Sequence, residues 1–488
     1  MFLMKEVLRM FSKHIIDFKK SILFILGLIW SFKMVEQTFV NILITRLATE
    51  NNYDLLGSVG VVNLLELLYV LLILISSYAS NRIKVYKGRF FMVVFSTTFF
   101  FIGLIHSFAE AGNDDEWQLS LGLFYPAMAI MAFGRGALAV TLKAFLDDQF
   151  RSKYGDDNER QQHTKFWWSL VSSLAALFVQ VSPLTGFDLK KLEKVLIVVM
   201  GCFFLVFTFG FDYYSDDKER KHNVTSIAKV KRPVNILALW GCLSVLSIVF
   251  ASGSTFFFLE AITLSDREYI IPVILLLDNL TRFTGFVVSE SCSLVIIKLK
   301  EQKRYNIQKM ELVRIGMGMW CCVLCCNFAV GVSTHRKYGA GGSKMSVYWL
   351  TPQFFLLGLV RGLAKDGFQS LYESQVRKYG WALGELARGV GCLLSILCIR
   401  IFSGKNFKWF QNNVDTSSLN KYYSFLAVLS VANAMLYCWI AGWYLAQPFL
   451  GKLKQKRGGR VMDSRMHNPE GSSGKYDHDD KKMKDKSW

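Results

Sequence analysis

Residues 349–366 read Trp-Leu-Thr-Pro-Gln-Phe-Phe-Leu-Leu-Gly-Leu-Val-Arg-Gly-Leu-Ala-Lys-Asp, which sets Arg361 and Lys365 inside an apolar run long enough to cross a bilayer. An ionisable group at that depth costs about 2.5–3.5 kcal/mol on insertion scales, so it faces protein or a wet cavity. The same spacing recurs 226 residues earlier. Pro126 stands nine residues before Arg135-Gly136, as Pro352 stands nine before Arg361-Gly362. At the ends of these runs Asp147 and Gln149 line up with Glu373 and Gln375.

Twelve apolar stretches surround these two, at 21–46, 54–80, 90–109, 120–147, 164–186, 192–213, 235–263, 269–297, 310–333, 345–376, 379–402 and 421–449. Each matches a hydrocarbon core of roughly 30 Å. The loops on the amino-terminal side of the membrane hold 26 Lys and Arg and the opposite loops 10, so both termini are expected in the cytoplasm. The shared offset falls on the fourth and tenth stretches, as a six-plus-six duplication requires. The expected fold class is therefore an all-α membrane protein of the major facilitator type, with parallel halves around a central cavity. The expected organisation is a cytoplasmic segment 1–20, a six-helix half 21–213, a linker 214–234, a second half 235–450 and a basic, disordered tail 451–488.

Composition narrows the function. At 52% hydrophobic residues, with 40 Phe and 12 Trp in 488 residues, a soluble multidomain enzyme is disfavoured. The net charge of +19 is explained by cytoplasmic loops and anionic lipid, so no nucleic-acid partner is expected. The first 20 residues carry five Lys and Arg and no apolar core, so no cleavable signal is read there, and an amphipathic segment from Phe2 to Phe18 is expected along the inner surface. Cys321-Cys322-Val-Leu-Cys325-Cys326 overlaps two metal-like spacings. On a helix, neighbouring residues point about 100° apart and four thiolates do not converge, so these cysteines read as apolar filler rather than a metal site. No nucleophile–base pair or phosphate loop stands out; no catalytic residue, cofactor or metal is expected.

The intramembrane charges are the candidate site. Lys33 and Glu36 lie three apart on one helix face, and Lys33 sits about 18 Å into the first stretch, near the midplane. Arg135, Arg361 and Lys365 occupy the fourth and tenth stretches, which line the cavity if the duplication holds. Lys33 with Glu36 also suits a structural pair, as do Asp278 with Arg282 and Glu385 with Arg388. Glu66 and Glu260 fit either reading. The cations outnumber the evident carboxylates, so at least one is expected to meet water or an anion.

At these residues the chain resembles the proton-coupled oligopeptide transporter family, in its plant nitrate/peptide branch. The family's first-helix Glu-x-x-Glu-Arg/Lys is matched by Lys33-Met-Val-Glu36-Gln37, and the end of its fourth helix by Gly134-Arg-Gly-Ala-Leu-Ala139 leading to Asp148-Gln149-Phe150. Thr255-Phe-Phe-Phe-Leu-Glu260-Ala-Ile-Thr-Leu-Ser-Asp266-Arg267, Val313-Arg-Ile-Gly-Met-Gly and Trp349-Leu-Thr-Pro352-Gln353 resemble its seventh, ninth and tenth helices. Leu436-Tyr-Cys-Trp-Ile-Ala-Gly-Trp-Tyr444 resembles its last. The likeness runs over about 25–450 and implies alternating access with a site between the halves. It also implies that Lys33, Gln37, Ala139 and Arg361 stand where the family has Glu, Arg or Lys, Lys and Glu. An Arg stays charged and cannot carry a proton, so peptide specificity and the usual proton coupling are both called into question.

The expected function is a multipass transporter for a small, anionic solute (nitrate, peptide or another organic anion), in the plasma or vacuolar membrane, as a monomer or weak oligomer. Its partners would be that solute, the lipid bilayer and, through Glu36, protons. The substrate or coupling residues are Lys33, Glu36, Gln37, Arg135, Glu260, Arg361 and Lys365. A sensor or regulatory protein descended from a transporter is the other reading. The charge asymmetry predicts that epitope tags at both termini are shielded in intact cells and stained only after permeabilisation. Staining of either tag from outside would overturn this topology.

Overall fold

The computed structural model describes residues 20–49, 55–83, 86–109, 121–151, 157–184, 189–214, 233–264, 270–301, 307–338, 345–375, 380–411, 414 and 416–466. The expected amphipathic segment at 2–18 and nearly all of the linker lie outside them, as does the tail beyond 466. The first half is built from α1 (Lys20–Thr49), α2 (Leu55–Arg82), α3 (Tyr86–Ala109), α4 (Leu121–Arg151), α5 (Asp157–Leu184) and α6 (Leu189–Phe209). In the second half α7 has two pieces, Pro233–Gly253 and Phe256–Leu264, and is followed by α8 (Ile270–Glu301) and α9 (Ile307–Tyr338). Next comes α10, made of Thr351–Val360, a π turn Arg361–Lys365 and Asp366–Gln375; α11 (Gly380–Phe402) and α12 (Leu419–Met466) complete the set.

Residues 1–440 form one compact unit, and all packing discussed here lies within it. Residues 441–488 form a second unit, whose described part is the end of α12. The tail was expected to lose structure at about Gly451, whereas α12 continues as helix to Met466.

Ten described helices are long and apolar enough to cross a membrane unaided; α5 and α10 are the two of the twelve that are not. Charged residues, Asp157, Glu159, Arg160 and Lys165, crowd the start of α5, and the π turn carries Arg361 and Lys365. Both helices are held by neighbours instead: α5 packs on α1 and α8, and α10 on α8 and α9. Arg160 is buried and Lys165, Arg361 and Lys365 line the cavity, so these charges face protein or cavity rather than lipid.

The duplication is visible in the packing. In each half the helix carrying the Arg-Gly pair lies on the helix two before it, α4 on α2 and α10 on α8. Glycine makes both approaches possible. A Cβ on Gly136 would meet Leu72 Cβ at 3.0 Å and the Tyr69 carbonyl at 3.1 Å, and one on Gly362 would meet the Gly285 carbonyl at 2.5 Å. The halves meet where α2 packs on α11, α5 on α8, and α1 on the second piece of α7.

The π turn was not anticipated. It takes carbonyls off the regular helical ladder, and a buried polar group left unpaired is costly. Arg314 of α9 answers one of them, its Nη2 donating to the Gly362 carbonyl at 2.6 Å and to Ser289 Oγ at 3.1 Å. The Cys321–Cys326 cluster spreads its thiols as helix geometry requires: Cys325 donates to the Gln353 carbonyl at 3.3 Å, while Cys322 and Cys326 each lie 3.6 Å from Ser430 Oγ.

Gly362→Val should overpack the α8–α10 contact at a cost of about 1–3 kcal/mol or more, seen as a lower melting temperature and less protein at the membrane. Gly331→Ala, whose Cβ would meet nothing within 4 Å, should leave both readings near wild type. Equal behaviour of the two variants would contradict the packing described.

Candidate functional site

A cavity of about 350 Å³ lies between the halves, lined by all the helices but α3, α6, α9 and α12. It reaches Trp381, one residue into α11, at the end of the bundle where α4 finishes. Toward the opposite end its walls stop early. Gln37 lies twelve residues before the end of α1 at Thr49, about 18 Å at 1.5 Å per residue.

Eight cations and six carboxylates line it. Seven of them form one continuous chain. Lys33 Nζ meets Glu36 Oε2 at 2.6 Å, and Arg135 Nε meets Glu36 Oε1 at 2.6 Å. Arg135 Nη1 then reaches Glu66 Oε1 at 2.7 Å, and Arg388 Nη1 reaches Glu66 Oε2 at 2.7 Å. Arg388 Nε returns to Glu385 Oε2 at 2.8 Å, whose other oxygen lies 3.4 Å from Lys365 Nζ. The chain crosses from α1, α4 and α2 of one half to α11 and α10 of the other. Two aromatic rings brace it: Arg135 Cζ stands 3.9 Å from the Tyr69 ring centroid, and Lys33 Nζ 5.2 Å from that of Trp168.

Of the residues read from sequence as candidates, Lys33, Glu36, Gln37, Arg135, Arg361 and Lys365 all line this cavity. Gln37 Nε2 donates to Asn279 Oδ1 at 2.7 Å, and Asn279 Nδ2 donates to the Ala176 carbonyl at 2.9 Å, tying α1, α8 and α5 together. Glu260 is not among the lining residues: it is fully buried on the second piece of α7, with Arg336 of α9 at 3.7 Å. Asp278 and Arg282 pair at 2.6 Å within α8, as their spacing suggested. Arg89 of α3 binds both carboxylate oxygens of Asp148 on α4.

The two repeated arginines have opposite fates. Arg135 is engaged by two carboxylates. The Arg361 side chain makes no hydrogen bond or ion pair to the described residues; its stem lies along Gly285 of α8, with Cδ 3.2 Å from where a Cβ would be. Lys365, one turn on, swings to Glu385 on α11 instead. Among the described residues the cavity therefore presents one guanidinium without an ion pair. Sequence reasoning missed two further features. Arg388 looked like a local partner of Glu385 but also spans to Glu66. Lys143, one turn past Ala139, lines the mouth with its Nζ 5.1 Å from the Trp381 ring centroid.

Fold and cavity define an all-α membrane protein with the major facilitator fold, its two halves enclosing a central cavity. Among solved structures it is similar to the POT family transporter PepTSo, with a TM-score of 0.68 at 15% identity, covering 88% of this chain and 99% of that one. It is likewise similar to a POT family transporter in complex with 5-aminolevulinic acid, with a TM-score of 0.67 at 10% identity, covering 88% and 97%. Among curated proteins it is 22% identical to Protein NRT1/PTR FAMILY 5.6 of Arabidopsis thaliana, over 86% of this chain and 90% of that protein. Protein NRT1/PTR FAMILY 5.11 of the same plant is 23% identical over 74% and 82%. The match to Protein NRT1/PTR FAMILY 5.9, 24% identical, spans 49% of this chain and 47% of that protein. No model of a known protein family matches the chain. Together with the motifs quoted from the sequence, these likenesses support the resemblance to the proton-coupled oligopeptide transporter and NRT1/PTR families.

Arg135→Ala should leave Glu36 with Lys33 alone and Glu66 with Arg388 alone, their side chains only 10% and 11% exposed, and lower stability by about 3 kcal/mol. Arg361→Ala strands no carboxylate and should shift stability by no more than about 0.5 kcal/mol. Thermal unfolding of the two purified variants checks this; similar losses would mean that Arg361 is held by a structural partner.

Proposed function

We propose that this chain carries a small anionic solute across the membrane by alternating access, and that Arg361 is the group that holds it. The observation carrying this reading is that Arg361 lines the cavity with no ion pair among the described residues, while Arg135 at the repeated position is neutralised. A guanidinium in a low-dielectric cavity gains most from a planar carboxylate or nitrate that accepts two of its N–H groups at once. Arg282, three residues before Gly285 on the same face of α8, adds positive charge beside it although it is paired with Asp278.

Proton coupling takes a reduced form in this reading. The first-helix carboxylate that remains, Glu36, is already engaged by two cations, Lys33 and Arg135, both at 2.6 Å. The alternative, a regulatory protein without transport, draws on the same chain of ion pairs, which ties the halves together through Glu66 and Arg388.

The deciding measurement is uptake of a panel of labelled anions and peptides by proteoliposomes or oocytes at two external pH values. Arg361→Ala should abolish uptake of the accepted anion with membrane abundance near wild type. Arg361→Lys should retain a fraction of it, having lost the two-pronged donor. Acidification should stimulate uptake less than in relatives with the full acidic motif. An alanine variant that transports normally would remove Arg361 from the site, and absence of uptake of every solute would favour the regulatory alternative.

A further inference from the structure

Glu66 is the one member of the ion chain that takes an arginine from each half, and the surrounding helices are shaped to deliver both. Arg135 of α4 and Arg388 of α11 are each followed by glycine, and both glycines lie against α2, the helix that carries Glu66. A Cβ on Gly136 would come within 3.0 Å of Leu72 Cβ, and one on Gly389 within 2.9 Å of Val70 Cγ1. Two Arg-Gly pairs thus clamp α2 from opposite halves. Each guanidinium gives one N–H to Glu66, at 2.7 Å to Oε1 and 2.7 Å to Oε2. Tyr69, one turn along α2, lies beside both, with its ring centroid 3.9 Å from Arg135 Cζ and 5.1 Å from Arg388 Cζ. Glu66, Tyr69, Arg135 and Arg388 all line the cavity, so a small solute inside it meets the cluster.

Two guanidiniums converging on two coplanar oxygens form a receptor for a planar oxyanion. We propose that the Arg135–Arg388 pair is a second anion site, filled in this conformation by the protein's own Glu66 carboxylate, and that its ligand class is a small planar oxyanion such as a carboxylate or nitrate. Glu66 is then a tethered counter-ion. A solute anion enters only by exchange with it, and exchange removes a side-chain link between the halves. The site is separate from Arg361, and the inference does not depend on Arg361 being the transport site.

Chemical rescue of the full-length protein in detergent or nanodiscs tests this. Glu66→Ala removes one methylene and the carboxylate, and acetate carries the same atoms. The variant should melt several degrees below wild type in chloride. Acetate, formate or nitrate at about 100 mM and matched ionic strength should then raise its melting temperature by about 3 °C or more, saturably, with chloride and tetrahedral sulfate giving less. Wild type, its site occupied, should not distinguish these salts, and Glu66→Ala with Arg388→Ala should lose the response. If Glu66→Ala cannot be purified in chloride, recovery of folded protein with acetate present is itself the rescue. Glu66→Ser, which keeps one small acceptor, serves as an independent vacated site. A vacated protein that responds equally to all the anions overturns the assignment, as does one that is recovered in neither chloride nor acetate.

Discussion

The constraint on which the rest depends is that charge inside a bilayer must be answered, because the hydrocarbon supplies nothing to solvate it. This chain buries at least seven ionisable groups near the middle of its helices and answers them with one another, in an unbroken line from Lys33 to Lys365. Four cations and three carboxylates in that line leave it one charge short of neutral. No single pair explains the arrangement. Removing an interior member takes a partner from the charge on each side of it, so the members of the line are energetically coupled rather than independent.

That unit determines where helices can sit. Arg135 reaches both α1 and α2, so α4 is held against two neighbours of its own half, while Arg388 draws α11 onto α2. Glycines set the distance at which this works. Gly136 beside Arg135 and Gly389 beside Arg388 let helix backbones approach until the guanidiniums span the gap. Polar attraction and small-residue packing thus act at the same places, which is the combination that drives helix association where lipid removes the usual hydrophobic gain. The cavity is what remains between helices so arranged, and its charge is the residue of an incomplete neutralisation.

Much of this was legible in the sequence. The two Arg-Gly pairs at a common offset announced the duplicated halves, because helices that repeat a packing contact repeat the residues that allow it. Lys33 with Glu36, Asp278 with Arg282 and Glu385 with Arg388 were readable as pairs because three- and four-residue spacings share a helix face. Contacts between helices distant in sequence were not. Nothing local distinguishes Glu66 as the partner of Arg388, 322 residues away, or puts Glu260 beside Arg336 and outside the cavity. Nor did the apolar pattern foretell the break in α10. A π turn depends on a partner for the displaced carbonyl, and Arg314 that supplies it belongs to another helix. The end of α12 was misjudged for a different reason: its residues beyond Gly451 are polar, and hydropathy reports burial rather than helicity.

The π turn at Arg361–Lys365 also makes chain length a structural variable. A π turn holds one residue more than the α-helical turn it interrupts, so everything beyond it is offset by about 100° relative to an uninterrupted helix. Asp366 and Gln369, which line the cavity, both lie beyond that surplus residue. Shortening this segment by one residue would leave every side chain chemically intact and yet rotate the inner end of α10 away from its present aim. At this point in the protein, the number of residues carries information that their identities do not.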